Sequence, residues 1–239
     1  MVLPARQAAA TLRDTVAGIP PDEVDEIILV DDSSTDRTLQ LAQELPLEVM
    51  WHPHQVGYGG NQKTCYMQAL HRGAAVVVML HPDGQYEPEL IPDLVAPILA
   101  GEADLVLGSR LATPGAALAA GMPRWKFAAN RFLTSFQNRI MGTDLSEAHT
   151  GYRAYSRDLL LGVPFLRNSL DFSFDSEMLY QAAELGFRIT EVPANCRYFD
   201  EASSVGFRTG VVYGVKTIWQ GFRLVLHRIG MVRSRKYRL

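Results

Sequence analysis

The chain has 239 residues, 47% hydrophobic and 21% charged, with a formal net charge of −3. That balance excludes a largely disordered chain, and two cysteines, Cys65 and Cys196, exclude a disulfide scaffold. No apolar run approaches the ~20 residues of a membrane span, and no signal-peptide core is expected, because Asp14 breaks the stretch after Arg6 and Arg13.

Short apolar runs alternate with helical patterns. Glu26 to Val30 predicts a buried strand, ended by Asp31-Asp32-Ser33-Ser34. A helix is expected over Thr38–Glu44, with Asp36 as its N-cap. Leu47 to Trp51 predicts a strand, Gly60 to Arg72 a helix and Ala74 to Leu80 a strand. The last is ended by His81-Pro82-Asp83-Gly84-Gln85. A helix over Pro88–Ala100 precedes a strand at Asp104–Leu107, ended by Gly108-Ser109-Arg110. Ala112 to Pro123 is rich in Gly, Ala and Pro and reads as a mobile loop. Beyond it come a helix from Arg124 to Met141, a segment Gly151–Tyr155, a helix over Ser173–Leu185 and a strand Ile189–Val192. Strands alternating with helices predict a parallel sheet covered by helices.

The C-terminus differs. Residues 202–239 carry eight basic and no acidic side chains. The other 201 residues hold 15 basic and 26 acidic ones, a net of −11. Val211, Val215, Ile218, Trp219, Phe222, Val225, Leu226 and Ile229 fall on one face of a helix. Such a helix either packs on its own domain or lies in a membrane interface, held by Trp219 and the basic tail. Glycines 214, 221 and 230 weaken its helix propensity. Nucleic acid is not an expected partner, since the body is acidic and the tail has no stacking platform.

In an open parallel sheet, ligands bind beyond the carboxyl ends of the strands. Three polar clusters sit at such ends: Asp31 to Asp36, His81 to Gln85, and Gly108 to Arg110. Together they make one acidic, polar crevice, suited to a metal-bound anion. Asp83 supplies a hard oxygen, and Gln85 and His81 complete the shell; Mg2+ or Mn2+ is the expected class of ion.

Seven segments carry a family resemblance: Val2 to Ala5, Ile28 to Asp36, Gly57-Tyr58-Gly59-Gly60-Asn61, Met79 to Pro88, Gly108 to Arg110, His149-Thr150-Gly151-Tyr152-Arg153, and Phe187 to Pro193. In order and spacing the chain resembles glycosyltransferase family 2, from Val2 to about Phe207. Within it, the chain resembles the polyprenyl-phosphate sugar transferases, such as the dolichyl-phosphate mannosyl- and glucosyltransferases. The resemblance implies an α/β fold of GT-A type: a Rossmann-like, mostly parallel sheet flanked by helices, here with a C-terminal amphipathic helix. It implies a catalytic domain over 1–207, with a nucleotide-sugar half at about 1–110 and an acceptor half at about 111–207. Residues 208–239 form the basic helix and tail.

The resemblance also implies roles. Pro4 and Ala5 lie in the loop that cradles the nucleotide base. Asp32 binds base or ribose, with Asp31 beside it. Gly57, Gly59 and Lys63 lie on the next nucleotide loop. Asp83 matches the last acid of an Asp-x-Asp metal motif, and Gln85 a further metal contact. Arg110 and Arg153 match basic residues near the phosphates. His81 replaces the first acid of the motif, and Gln7-Ala8 replaces an Asn-Glu pair after the first strand. Imidazole is a weaker partner than carboxylate for a hard ion.

The expected reaction is inverting transfer of a hexose from a nucleotide sugar, of GDP-mannose or UDP-glucose type, to a polyprenyl phosphate. Asp83, Arg110, Arg153 and Arg208 are expected to carry turnover. Arg124, Lys126, Arg131, Arg153 and Arg208 are expected to hold the acceptor; Arg208 follows the Ser203-Ser204 loop. The expected place is the cytoplasmic face of a membrane, reached peripherally through the C-terminal helix. Two alternatives stand beside this. One is a transferase acting on a saccharide hydroxyl, with a base among Asp171, Asp175 and Glu177. The other is a non-catalytic nucleotide-sugar binder.

Overall fold

The computed structural model describes residues 1–196 and 206–238, with Phe207 described through its backbone alone. Ser203 and Ser204 lie outside the described residues. The chain opens with β1 (Val2–Ala5), α1 (Leu12–Ala17), β2 (Ile28–Asp31), α2 (Thr38–Gln43), β3 (Glu48–Trp51), α3 (Tyr58–His71) and β4 (Val76–Met79). A 3-10 turn at Pro88–Leu90 leads into α4 (Ile91–Leu99) and β5 (Leu105–Ser109). Then follow α5 (Ala116–Ala119), α6 (Arg124–Met141), β6 (Arg153–Ser156), α7 (Arg157–Gly162), α8 (Ser173–Glu184), β7 (Ile189–Pro193) and α9 (Phe207–Arg228).

The strands form one seven-stranded sheet in the order β3-β2-β1-β4-β6-β5-β7. All are parallel except β6, which runs antiparallel to β4 and β5. Period-2 alternation sorts the side chains into two cores. Val2, Ile28, Val30, Val77, Met79, Leu105 and Leu107 face α3 and α8. Leu3, Leu29, Val78, Val106 and Ala154 face α1 and α4. Because β2, β4 and β5 point the same way, the three polar clusters after them share one edge.

The stretch 112–123 is not all loop. It contains α5, preceded by Gly115 in the left-handed region. Leu111, Ala117 and Met122 close a small core with Phe127 beneath it, which holds this turn in place. Asp36 acts one residue earlier than a regular N-cap: its Oδ1 accepts from Thr38 N at 3.0 Å, while Arg37 occupies the cap.

The C-terminal helix packs on the body through its polar side. Thr217, Gln220 and Leu224 are buried, and α9 lies against α8 and α6. The apolar face points outward: Val215 is 63% exposed, Trp219 59% and Ile229 63%. Two of the glycines, Gly214 and Gly221, are contact points with α6. A Cβ on Gly221 would come within 2.7 Å of Ile140, Phe136 and the Tyr180 hydroxyl. Close approach of α6 and α9 therefore requires glycine there. Among the described residues, three of the eight basic side chains bind body carboxylates: Lys216 to Asp171, Arg228 to Glu184 and Lys236 to Glu177.

Candidate active site

Asp31 and Asp32 end β2, and both are buried. Asp32 accepts from Val56 N at 2.8 Å and Gly57 N at 3.1 Å, and His52 Nδ1 stands 3.4 Å away. Asp31 Oδ2 accepts from Ser34 N, while Oδ1 is buried with no partner. An orphaned carboxylate oxygen is costly unless a ligand donor meets it. Pro4 and Ala5 end β1 rather than lying in a loop, and Ala5 is in register with Asp31. Beyond them Gln7 binds Thr35 N at 2.7 Å, tying the loop after β1 to the loop after β2.

Gly57 opens α3 at φ +88, where a Cβ would meet Leu170 O at 2.6 Å. Only glycine serves there. Lys63 points to Asn168 O. Burial lowers its ammonium pKa.

After β4, Asp83 Oδ1 accepts from Gln85 N at 3.1 Å. Burial pushes the Asp83 carboxyl above the usual carboxylate range, against the pull of His81 and Arg110. Gln85 is buried beside it. His81 Nε2 pairs with the Tyr58 hydroxyl at 3.1 Å. No three His, Cys, Asp or Glu side chains converge among the described residues. The donors here are one carboxylate, one amide and one imidazole. Mg2+ and Mn2+ are commonly held by one or two carboxylates when substrate phosphates complete the shell. The set fits an ion shared with a diphosphate.

Arg110 is buried after β5. Its guanidinium grips Glu147, donates to His149 O at 2.9 Å, and its own backbone N–H also donates to Glu147. Glu147 is fully buried and takes Asn130 Nδ2 at 2.6 Å as well. Burial would raise its pKa, but Arg110 outweighs burial and holds it low. Sequence reasoning missed Glu147. A buried arginine calls for a carboxylate, but nothing local says which.

Arg153 stands otherwise than expected. It is fully buried in β6. Its donors go to the carbonyls of Thr150 at 2.8 Å, Asp175 at 3.1 Å and Ala148 at 3.2 Å. A phosphate would have to displace these to reach it. The geometry makes Arg153 a brace beneath the 148–150 loop and α8. The other cations cluster on α6 and α9. Lys126 is half-buried, and its ammonium pKa is lowered by desolvation and then by Arg110, against the pull of Glu147 and Asp83. Arg124, Arg131 and Arg208 are exposed. Arg131 and Phe127 line an apolar cavity of about 290 Å³ with Leu111 and Ala117.

The candidate bases are all engaged. Asp175 accepts from the Tyr58 hydroxyl at 2.6 Å and Gln62 Nε2 at 3.2 Å. Glu177 is fully buried and takes Ser169 N, Ser169 Oγ, Gln220 Nε2 and Lys236 Nζ. Asp171 pairs with Lys216 and receives Ser173 N at 2.9 Å.

His149 lies behind Arg110, with Nδ1 2.7 Å from the Tyr213 hydroxyl of α9. Desolvation lowers its pKa from 6.5 to about 3. Between these values the unfolded chain binds a proton that the folded chain refuses. The stability from a neutral ring is complete above pH ~6.5 and drains as pH falls, by up to ~1.4 kcal/mol per pH unit. Urea melts at pH 7 and pH 5 should differ by about 2 kcal/mol from this group. His149→Gln should show a correspondingly smaller difference. An unchanged difference would remove His149 from the acid response.

Comparisons with known proteins agree with this architecture. The family model "Glycosyl transferase family 2" matches residues 1–162. The chain is 30% identical over 215 residues to an undecaprenyl-phosphate mannosyltransferase of Micrococcus luteus, covering 83% of this chain and 86% of that protein. It is 26% identical to a UDP-N-acetylglucosamine–dolichyl-phosphate N-acetylglucosaminyltransferase of Methanococcus voltae, covering 97% and 96%. Among solved structures it resembles glucosyl-3-phosphoglycerate synthase of Mycobacterium tuberculosis, in complex with Mn2+, UDP and phosphoglyceric acid. The TM-score is 0.68 at 22% identity, over 97% of this chain and 78% of that one. That likeness shows the GT-A fold. With a parallel sheet that gathers its polar loops on one edge, and a family match over most of its length, the chain belongs to glycosyl transferase family 2.

Proposed function

We propose that this protein transfers a hexose from a nucleotide sugar to a polyprenyl phosphate at a membrane surface, with inversion at the anomeric carbon. One observation carries the choice of acceptor. A hydroxyl acceptor needs a base, and Asp175 and Glu177 are both spent on buried hydrogen bonds while Asp171 is paired with Lys216. A phosphate monoester arrives as an oxyanion and needs only cations. Lys126 is half-buried and within electrostatic range of Asp83, and Arg124, Arg131 and Arg208 are exposed on α6 and α9. The relatives' names point the same way.

Asp31 and Asp32 take the nucleoside. Asp83, with Gln85 and His81, would hold a Mg2+ or Mn2+ ion, which neutralises charge developing on the departing diphosphate. Lys126 and the outer arginines fix the acceptor phosphate on the opposite side of the sugar. A phosphate oxygen bonds to the anomeric carbon as its bond to the donor diphosphate breaks. Arg110, anchored on Glu147 within electrostatic range of Asp83, keeps a guanidinium near that diphosphate. Arg153 is left out of this set.

Membrane contact is peripheral in this reading. Among the described residues no helix is long and apolar enough to cross a membrane. Trp125, beside Gly210 of α9, and Phe132 of α6 are also exposed, and Arg124, Arg131 and Arg223 supply charge for anionic lipid. We place the protein on the cytoplasmic face, where its two buried free thiols are stable.

The test is turnover of GDP-mannose and UDP-glucose with a short polyprenyl phosphate, against the same donors with simple saccharides. Lipid-phosphate product is expected; saccharide product alone would overturn the reading. For the membrane, Val215→Ser, Trp219→Ser and Phe222→Ser combined should cut co-sedimentation with anionic vesicles at least tenfold and leave the fold intact, since all three side chains are exposed. Unchanged sedimentation would detach α9 from the bilayer.

A further inference from the structure

Tyr58 stands at the start of α3, with no role assigned above. Its hydroxyl is 2.6 Å from Asp175 Oδ2 and 3.1 Å from His81 Nε2. Its ring stacks on the His81 ring, with centroids 5.3 Å apart and planes at 29°. Phe172 packs on its other flank at 4.5 Å.

Counting protons settles the direction of these bonds. A phenol has one proton, and an ionised carboxylate has none to give. At 2.6 Å from Asp175 Oδ2 the phenol is the donor of that pair. That proton goes to Asp175. The phenol oxygen then accepts, and His81 Nε2 donates. In a singly protonated imidazole the lone pair is left on Nδ1. Nδ1 has no hydrogen-bond partner among the described residues, and it is not one of the buried unpaired atoms. The Nε2 edge is closed by Gly151, where a Cβ would come within 2.9 Å of Cδ2. The lone pair is therefore open to solvent, on a residue two positions from Asp83.

We infer that Tyr58 and Asp175 are positioning residues that present His81 Nδ1 as a nitrogen ligand to a divalent ion shared with Asp83, giving the site a preference for Mn2+ over Mg2+. This rests on the transferase reading above. A carboxylate–tyrosine–histidine relay fixes the tautomer and aims the ring, as outer-shell partners do at metal sites. Mg2+ is the harder ion and gains least from an imidazole; a first-row transition ion gains more.

The first measurement needs no metal. Ring 15N shifts of the full-length protein, with His81 assigned by its loss in His81→Asn, should show a lone-pair Nδ1 and a protonated Nε2. The reverse tautomer would overturn the inference. The second is Mn2+ and Mg2+ affinity in the presence of UDP or GDP, by spin-resonance titration of free Mn2+ and by calorimetry. Tyr58→Phe keeps the ring stack and removes the hydroxyl. It should weaken Mn2+ at least tenfold and Mg2+ much less. His81→Asp should shift the ratio back toward Mg2+. Equal Mn2+ affinity in wild type, Tyr58→Phe and His81→Asn would sink the His81 ligand while leaving the transferase reading standing. No divalent-ion binding by the wild type would sink both.

Discussion

Asp83→Asn is expected to lower kcat/KM for sugar transfer by about a thousandfold, because losing the one carboxylate at a metal-supported diphosphate costs several kcal/mol. The same change should leave thermal stability level or slightly higher. Burial already disfavours the charge on Asp83, so a neutral isostere relieves a desolvation cost. Turnover and melting temperature measured side by side make the test sharp. An inactive, well-folded variant is expected. Turnover within about twofold of wild type would remove Asp83 from the chemistry.

Glu147→Ala should instead cost stability. It leaves the Arg110 guanidinium buried without its carboxylate and strips Asn130 of an acceptor. Breaking a buried pair on one side costs about 3–5 kcal/mol. Glu147→Gln keeps the acceptor oxygen and should cost less. Urea unfolding checks both; a loss below about 1 kcal/mol for the alanine variant would show that Arg110 finds other partners. Activity should fall too, since Arg110 sits within electrostatic reach of Asp83.

Much of this architecture is legible in the chain. Strands β2, β4 and β5 fall inside or within two residues of the apolar runs that predict them, because a strand buried on both faces has to be apolar along its whole length. The polar clusters after β2, β4 and β5 are legible for the same reason: the chain turns polar where it leaves the sheet. Parallel order then puts all three on one edge. Composition also foretold that 112–123 is turn-rich, but not that Ala116–Ala119 would coil into α5 over a small core.

Arginine looks alike in sequence whether it reaches ligand or braces a loop. Arg153 is expected among the phosphate contacts; it lies instead buried in β6 with its donors on three carbonyls. Its fate depends on Ala148, Thr150 and Asp175, and Asp175 reaches it only through the packing of α8. Glu147 and Arg110 are 37 residues apart, and only the sheet edge brings them together.

Helix α9 divides the two kinds of information most clearly. Spacing alone determined that Val211 to Ile229 form an apolar face, since 3.6 residues per turn is a property of the backbone. Which side turns inward is not a property of the helix. The body offers α9 polar partners: Ser176 for Tyr213 and Thr217, Glu177 for Gln220, and close α6 side chains that admit only Gly221. Satisfying those buried groups draws the polar side in and leaves Val215, Trp219 and Phe222 outside. The chain's periodicity set the two faces; the buried polar partners supplied by α8 decided which one meets the surroundings.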